Sequence, residues 1–130
     1  MRKAVFWDSA ILLPRQEAAG TLAMCAYGQW KNYLLGTEPD FLQQEPFLAR
    51  FFSGELVLPP EGLGGPQFFR AAERAAKFPT LVYLATGEPT ALVRALKAGW
   101  HGAYLAKPGV PHLGADITAL SLAEIGRRLL

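Results

Sequence analysis

The sequence predicts a three-layer α/β/α sandwich built on a five-stranded parallel sheet. Three observations carry that expectation. Short apolar runs, too brief for helices, alternate with amphipathic stretches along the whole chain. The alternation repeats as five rounds of strand then helix, and strictly alternating units imply a parallel sheet with helices on both faces. Finally, 51% of the 130 residues are apolar and 18% are charged, so one chain can bury a full core without staples. The whole chain, residues 1–130, reads as a single domain with no repeat, low-complexity tract or linker.

The elements follow in order. Ala4–Trp7 is an apolar run closed by Asp8, the pattern of a buried strand. Residues 15–28 place Ala18, Ala19, Leu22, Cys25 and Ala26 at helical spacing, but Gly20 weakens a helix, and Thr21–Tyr27 reads equally as a strand. Tyr33–Leu35 is a short strand ended by Gly36. Glu38–Phe52 opens like a helix, which Pro46 must kink or split. Glu55–Leu58 is a strand stopped by Pro59 and Pro60, and the glycine-rich Glu61–Gly65 is a loop. Pro66 suits the first position of a helix whose apolar face is Phe68, Phe69, Ala72, Ala75 and Ala76. Leu81–Ala85 is the clearest strand. A turn at Thr86–Pro89 leads into a helix over Thr90–Ala98, ended by Gly99. Ala103–Ala106 is the fifth strand, and Leu120–Leu130 is a final helix with Arg127 and Arg128 in its last turn, where positive charge suits the dipole.

Charge and cysteine content narrow the function classes. The net charge is +2, and acids and bases are interspersed without a basic run, so nothing favours nucleic-acid binding. A lone Cys25 cannot form an intrachain disulfide. No segment approaches the roughly 18 apolar residues of a membrane span, and the opening apolar stretch is interrupted by Asp8. The expectation is a cytoplasmic protein with no membrane contact and no cofactor.

In a parallel α/β sheet, ligands meet the carboxyl ends of the strands. Those ends here are Asp8, the Pro59–Gly65 loop, Thr86–Glu88 and Lys107. Asp8 could react, or it could cap a helix or pair with Lys107. Thr86-Gly87-Glu88 opens a helix, as an ordinary cap or an anion site. His101 and His112 lack a partnered ligand set for metal, and Cys25 suits a core position. Phe47, Phe51 and Phe52 suggest a binding surface if they are exposed together.

The run Arg94–Pro108, with Ala98-Gly99 and then Tyr104-Leu105-Ala106-Lys107-Pro108, resembles the end of a response-regulator receiver domain. Gly65–Arg70, Lys77–Pro79 and Trp7–Ala10 resemble further receiver segments. That resemblance implies a flavodoxin-like, CheY-like fold with strand order 2-1-3-4-5, a cis Lys107–Pro108 bond, and Mg²⁺-dependent phosphorylation of an aspartate. Carried over by position, Asp8 matches one acid, Thr86 the switch hydroxyl and Lys107 the lysine after strand five. Trp7 replaces the second acid, and Pro59 or an apolar neighbour replaces the acceptor. Glu61 is placed to swing toward Lys107. A lone acid cannot hold Mg²⁺ beside a phosphoryl group. The resemblance therefore implies a non-enzymatic pseudo-receiver acting by protein–protein contact, with a homodimer through the last two helices and strand. Two other families share pieces of the pattern. Haloacid-dehalogenase-type phosphatases carry an apolar strand ending in a nucleophilic aspartate, which Asp8 matches. Their general acid two residues on falls on Ala10, and their late Gly-Asp motif falls on Thr86-Gly87. NYN/PIN-like nucleases resemble Phe6-Trp7-Asp8, Tyr27-Gly28-Gln29-Trp30 and Thr86-Gly87-Glu88, and imply metal-dependent hydrolysis by Asp8 and Glu88.

Overall fold

A computed structural model describes residues 2–36, 40–57, 66–109 and 113–130. Among these described residues, six strands form one wholly parallel sheet: β1 (Lys3–Asp8), β2 (Trp30–Gly36), β3 (Phe52–Val57), β4 (Leu81–Thr86), β5 (His101–Leu105) and β6 (Ile117–Ala119). Their order is β3-β2-β1-β4-β5-β6. This corrects both the predicted count of five and the order 2-1-3-4-5. The physical reason lies in β3, which was expected beside β1 at the centre. Parallel strands covered on both faces read as continuous apolar runs. Ala4–Trp7 is such a run and is fully buried. In β3, Ser53, Glu55 and Val57 are exposed between half-buried neighbours, which is tolerable only at an edge. β1 therefore pairs with β4 instead, from Lys3 opposite Leu81 to Trp7 opposite Ala85. The sixth strand was missed because its three residues are too few for a visible period.

The helices are α1 (Arg15–Tyr27), α2 (Phe41–Gln44), α3 (Pro46–Ala49), α4 (Pro66–Ala75), α5 (Pro89–Lys97) and α6 (Leu122–Leu129). The open choice over Thr21–Tyr27 resolves to helix. Ala18, Ala19, Leu22 and Cys25 are buried on one face, whereas Gly20 points to open space, so its cost is backbone entropy alone. Pro46 splits the following stretch into α2 and α3 at Glu45. Ser121 caps α6 by accepting from the Glu124 N–H at 3.2 Å, which ends β6 and starts the helix within three residues.

Two cores flank the sheet. α1 and α6 cover Val5, Trp7, Leu34, Ala85 and Ile117, while α4 and α5 cover Ala4, Phe6, Leu35 and Leu84. On the second face Trp100 packs 5.1 Å from Phe6 and 5.0 Å from Phe69. On the first face the buried Asn32 accepts from Trp7 Nε1 at 2.9 Å and donates to the Leu22 and Phe51 carbonyls, both at 3.1 Å. One amide thus ties β1, α1, β2 and the entry to β3, beside the irregularity in the β2–β3 register at Asn32/Tyr33. No helix among the described residues is long and apolar enough to cross a membrane.

Candidate functional site

β1, β2 and β3 run outward to one side and β4, β5 and β6 to the other, so the chain reverses its winding between β1 and β4. The connections leaving those two strands diverge and open a crevice at their carboxyl ends. Asp8 ends β1 and Thr86 ends β4. They lie 78 positions apart in sequence, yet Thr86 Oγ1 donates to Asp8 Oδ2 at 3.0 Å. The other carboxylate oxygen, Oδ1, accepts from the Ala10 N–H at 3.0 Å and caps the 3₁₀ turn Ser9–Ile11. Asp8 is half-buried, and Thr86 is completely buried. Thr86 Oγ1 also accepts from the Glu88 N–H at 3.0 Å, so one hydroxyl joins the Asp8 carboxylate to the turn before α5.

The other expected site residues are distributed as follows. Glu88 is exposed and caps α5, its Oε1 accepting from the Thr90 N–H at 3.3 Å. Lys107 is exposed two residues beyond β5 on the same edge, and it makes no ion pair with Asp8. Glu61 and the Pro59 acceptor position lie outside the described residues, as does His112. The cis peptide bond expected at Lys107–Pro108 is absent there and occurs at Leu13–Pro14. Among the described residues no three His, Cys, Asp or Glu side chains gather as a metal site. A divalent ion of the receiver or nuclease kind therefore lacks its acid trio in the described part of the crevice.

A second polar cluster was not anticipated. At the opposite end of the sheet, His101 Nδ1 lies 3.1 Å from Asp116 Oδ1, and Asp116 Oδ2 accepts from the Gly102 N–H at 2.8 Å. The Tyr83 ring stacks on His101 with centroids 5.1 Å apart. Burial opposes ionisation of Asp116, but the Gly102 N–H and His101 outweigh it and hold the carboxyl below its usual range. Burial, then the Asp116 charge, push the Tyr83 phenol up. The missed signal was β6 itself, which brings Asp116 beside the start of β5. Cys25 is buried in the first core, and desolvation pushes its thiol up to about 12 against a smaller opposing effect from Lys3. It is a core residue and not a nucleophile. Phe47 is 54% exposed, whereas Phe51 and Phe52 are half-buried, so the three do not form an open cluster.

No family model matches the chain, and no curated protein matches it. Solved structures do. The core domain of a candidate phosphoglycolate phosphatase from Streptococcus pneumoniae TIGR4, determined by NMR, superposes with a TM-score of 0.72 at 14% identity, covering 99% of this chain and 96% of that one. A crystal structure superposes with a TM-score of 0.69 at 17% identity, covering 98% of this chain and 92% of that one. At such identities the likeness is one of fold. The chain shares the parallel α/β fold of these two structures, and the receiver strand order is not found.

Proposed function

We propose that this chain is a haloacid-dehalogenase-type phosphohydrolase relative, acting on phosphate monoesters in the β1–β4 crevice with Asp8 as nucleophile. The observation that carries the reading is the fixed Asp8 carboxylate at the carboxyl end of a central strand, held at 3.0 Å by the buried Thr86 hydroxyl. The likeness to a phosphatase core domain supports it. In this reading an Asp8 oxygen attacks phosphorus, the bond to the ester oxygen breaks, and that oxygen departs with the electron pair. Water then attacks the phosphorus of the aspartyl phosphate, releasing inorganic phosphate and restoring the carboxylate. Thr86 holds the carboxylate in one orientation throughout, which supplies positioning rather than proton transfer. Lys107, on the same edge, provides positive charge toward the phosphoryl oxygens.

Ala10 shapes the substrate class. It stands where the related phosphatases carry a general acid, and its methyl group has no proton to give. The reaction is then confined to phosphate compounds whose leaving group departs as a stable anion, such as the nitrophenolate of an aryl ester or the carboxylate of an acyl phosphate anhydride. The described residues do not assemble a metal ligand set, and the two steps use Asp8, Thr86 and Lys107 alone.

The test is hydrolysis of p-nitrophenyl phosphate and acetyl phosphate, with and without Mg²⁺ and with a chelator. Turnover of both is expected, with a loss of at least about 100-fold in Asp8→Asn. Absence of turnover under every condition, or equal turnover by Asp8→Asn, removes the hydrolase reading. A non-enzymatic role through protein contact is the second reading, favoured by Ala10 and by the lack of an acid trio among the described residues, and it is what remains in that case.

A further inference from the structure

A cavity of about 660 Å³ opens at the amino edge of the sheet, among the first residues of β1 and β2, the middle of β3 and the end of α4. It is not the β1–β4 crevice. Lys3 lines it while Asp8 closes the other end of the same strand, and five residue steps of about 3.3 Å put roughly 16 Å between them. Arg2, Lys3, Lys31 and Lys77 line the cavity, with Glu55 as the one acid, so its walls carry +4 − 1 = +3. The whole chain carries +2, and the remainder is therefore −1. The described lining of this one concave site thus carries the excess of positive over negative charge, and a concave wall of one sign focuses field lines and accumulates anions.

Two of the cations are partly committed. Lys3 Nζ donates to the Gly28 carbonyl at 2.8 Å and sits 5.0 Å above the Trp30 ring. Arg2 donates one N–H to the Lys77 carbonyl at 2.8 Å, which leaves most of its guanidinium donors unused. The ammonium groups of Lys31 and Lys77 are exposed and have no acceptor among the described residues. Lys77 is also the residue whose presence the backbone resists. It follows α4 with φ +60°, in a helix-ending turn where the Phe78 N–H reaches the Glu73 carbonyl at 2.7 Å and the Lys77 N–H reaches Arg74 at 3.0 Å. Glycine is the residue favoured at that position. Gln29, which also lines the cavity, has φ +73°. The exposed Phe78, outside the cavity wall, has φ +53° as well, so the turn after α4 sets this conformation. Beside the polar Gln29 and Ser53, part of the wall is apolar and aromatic: Tyr33, Ala76 and Pro79, with Gly54 so close to Tyr33 that a Cβ there would stand 3.3 Å from the ring.

We propose that this amino-edge cavity is a binding site for a phosphorylated organic molecule of nucleotide size. Its phosphates lie among Arg2, Lys31 and Lys77, and its organic body lies against Tyr33, Ala76 and Pro79. The volume is that of a small-molecule site and is far larger than a single phosphate needs. The inference is independent of the chemistry at Asp8.

The experiment is calorimetric titration of the full chain with ADP, pyrophosphate and adenosine as probes, alongside amide chemical-shift mapping with ADP. ADP binds, pyrophosphate binds several-fold more weakly, adenosine binds at least 10-fold more weakly, and ADP affinity falls as salt is raised. Lys31→Gln and Lys77→Gly each reduce ADP affinity about 5-fold or more. Lys77→Gly also raises the melting temperature, because glycine accepts φ +60° without strain, so its loss of binding cannot be ascribed to unfolding. Shifts centre on Lys31, Gly54 and Lys77. Unchanged ADP affinity in the double variant overturns the proposal. So does adenosine binding as tightly as ADP, pyrophosphate matching ADP, or shifts centred on Thr86 and Gly87.

Discussion

Replacing Thr86 with valine isolates the hydroxyl that ties the crevice together. Valine keeps the shape of threonine, and Thr86 is fully buried, so packing is conserved while two hydrogen bonds disappear. The Glu88 N–H loses its acceptor in a part-buried setting, and such an orphan costs about 1–3 kcal/mol. Asp8 Oδ2 loses its donor, but Asp8 is only half-buried and water can replace the hydroxyl, so that loss is smaller. Together these give a destabilisation of about 2 kcal/mol. Unfolding entropy near 2.1 cal/mol/K per residue comes to about 0.27 kcal/mol/K for 130 residues, so Tm falls by about 7 °C. Urea unfolding at neutral pH measures the effect. A double-mutant cycle with Asp8→Ala then shows whether the bond to Asp8 contributes, with a coupling of at least about 0.5 kcal/mol expected. A Thr86→Val change within about 0.5 kcal/mol of the parent, or strict additivity in the cycle, would refute the linked Asp8–Thr86–Glu88 geometry.

Two further outcomes follow from side-chain chemistry. Asp116 is held below its usual range when folded, so its carboxylate adds stability above the unfolded-chain value of about 4 and that contribution disappears as pH falls through the folded value. Asp116→Asn therefore lowers the urea midpoint at pH 7 and narrows its gap to the parent as pH drops below about 4; a gap that stays constant with pH would contradict the Gly102 and His101 contacts. Cys25, with its thiol pushed up to about 12 and fully buried, stays unreacted with a disulfide reagent at pH 8 in the folded protein and reacts within seconds in denaturant. Rapid labelling of the native chain would show that α1 opens from the sheet.

Much of the secondary structure was legible because it is written in local periodicity. Ala4–Trp7, Tyr33–Leu35 and Leu81–Ala85 announce strands as short continuous apolar runs, and Pro66, Pro89 and Gly99 mark helix ends by backbone chemistry. The placement of Asp8 and Thr86 at carboxyl ends follows from the same reading. Their contact does not, because it depends on which strands are neighbours. That choice is made by long-range pairing, and the receiver resemblance of residues 94–108 pointed to the wrong order. A clue was present in Ser53 and Glu55, whose polarity disfavours a central position.

From the amino-acid order alone came a parallel α/β domain with an acid at the end of its first strand and no acid two residues beyond it. Only the tertiary structure decided that β1 lies against β4, that a three-residue β6 carries Asp116 to His101, and that cations at positions 2, 3, 31 and 77 share one cavity. The physical reason is the same in each case. Periodicity reports which face of an element is buried, whereas pairing and charge clustering arise from contacts between residues in different elements, 14 or more positions apart, where neighbouring letters carry no record of them.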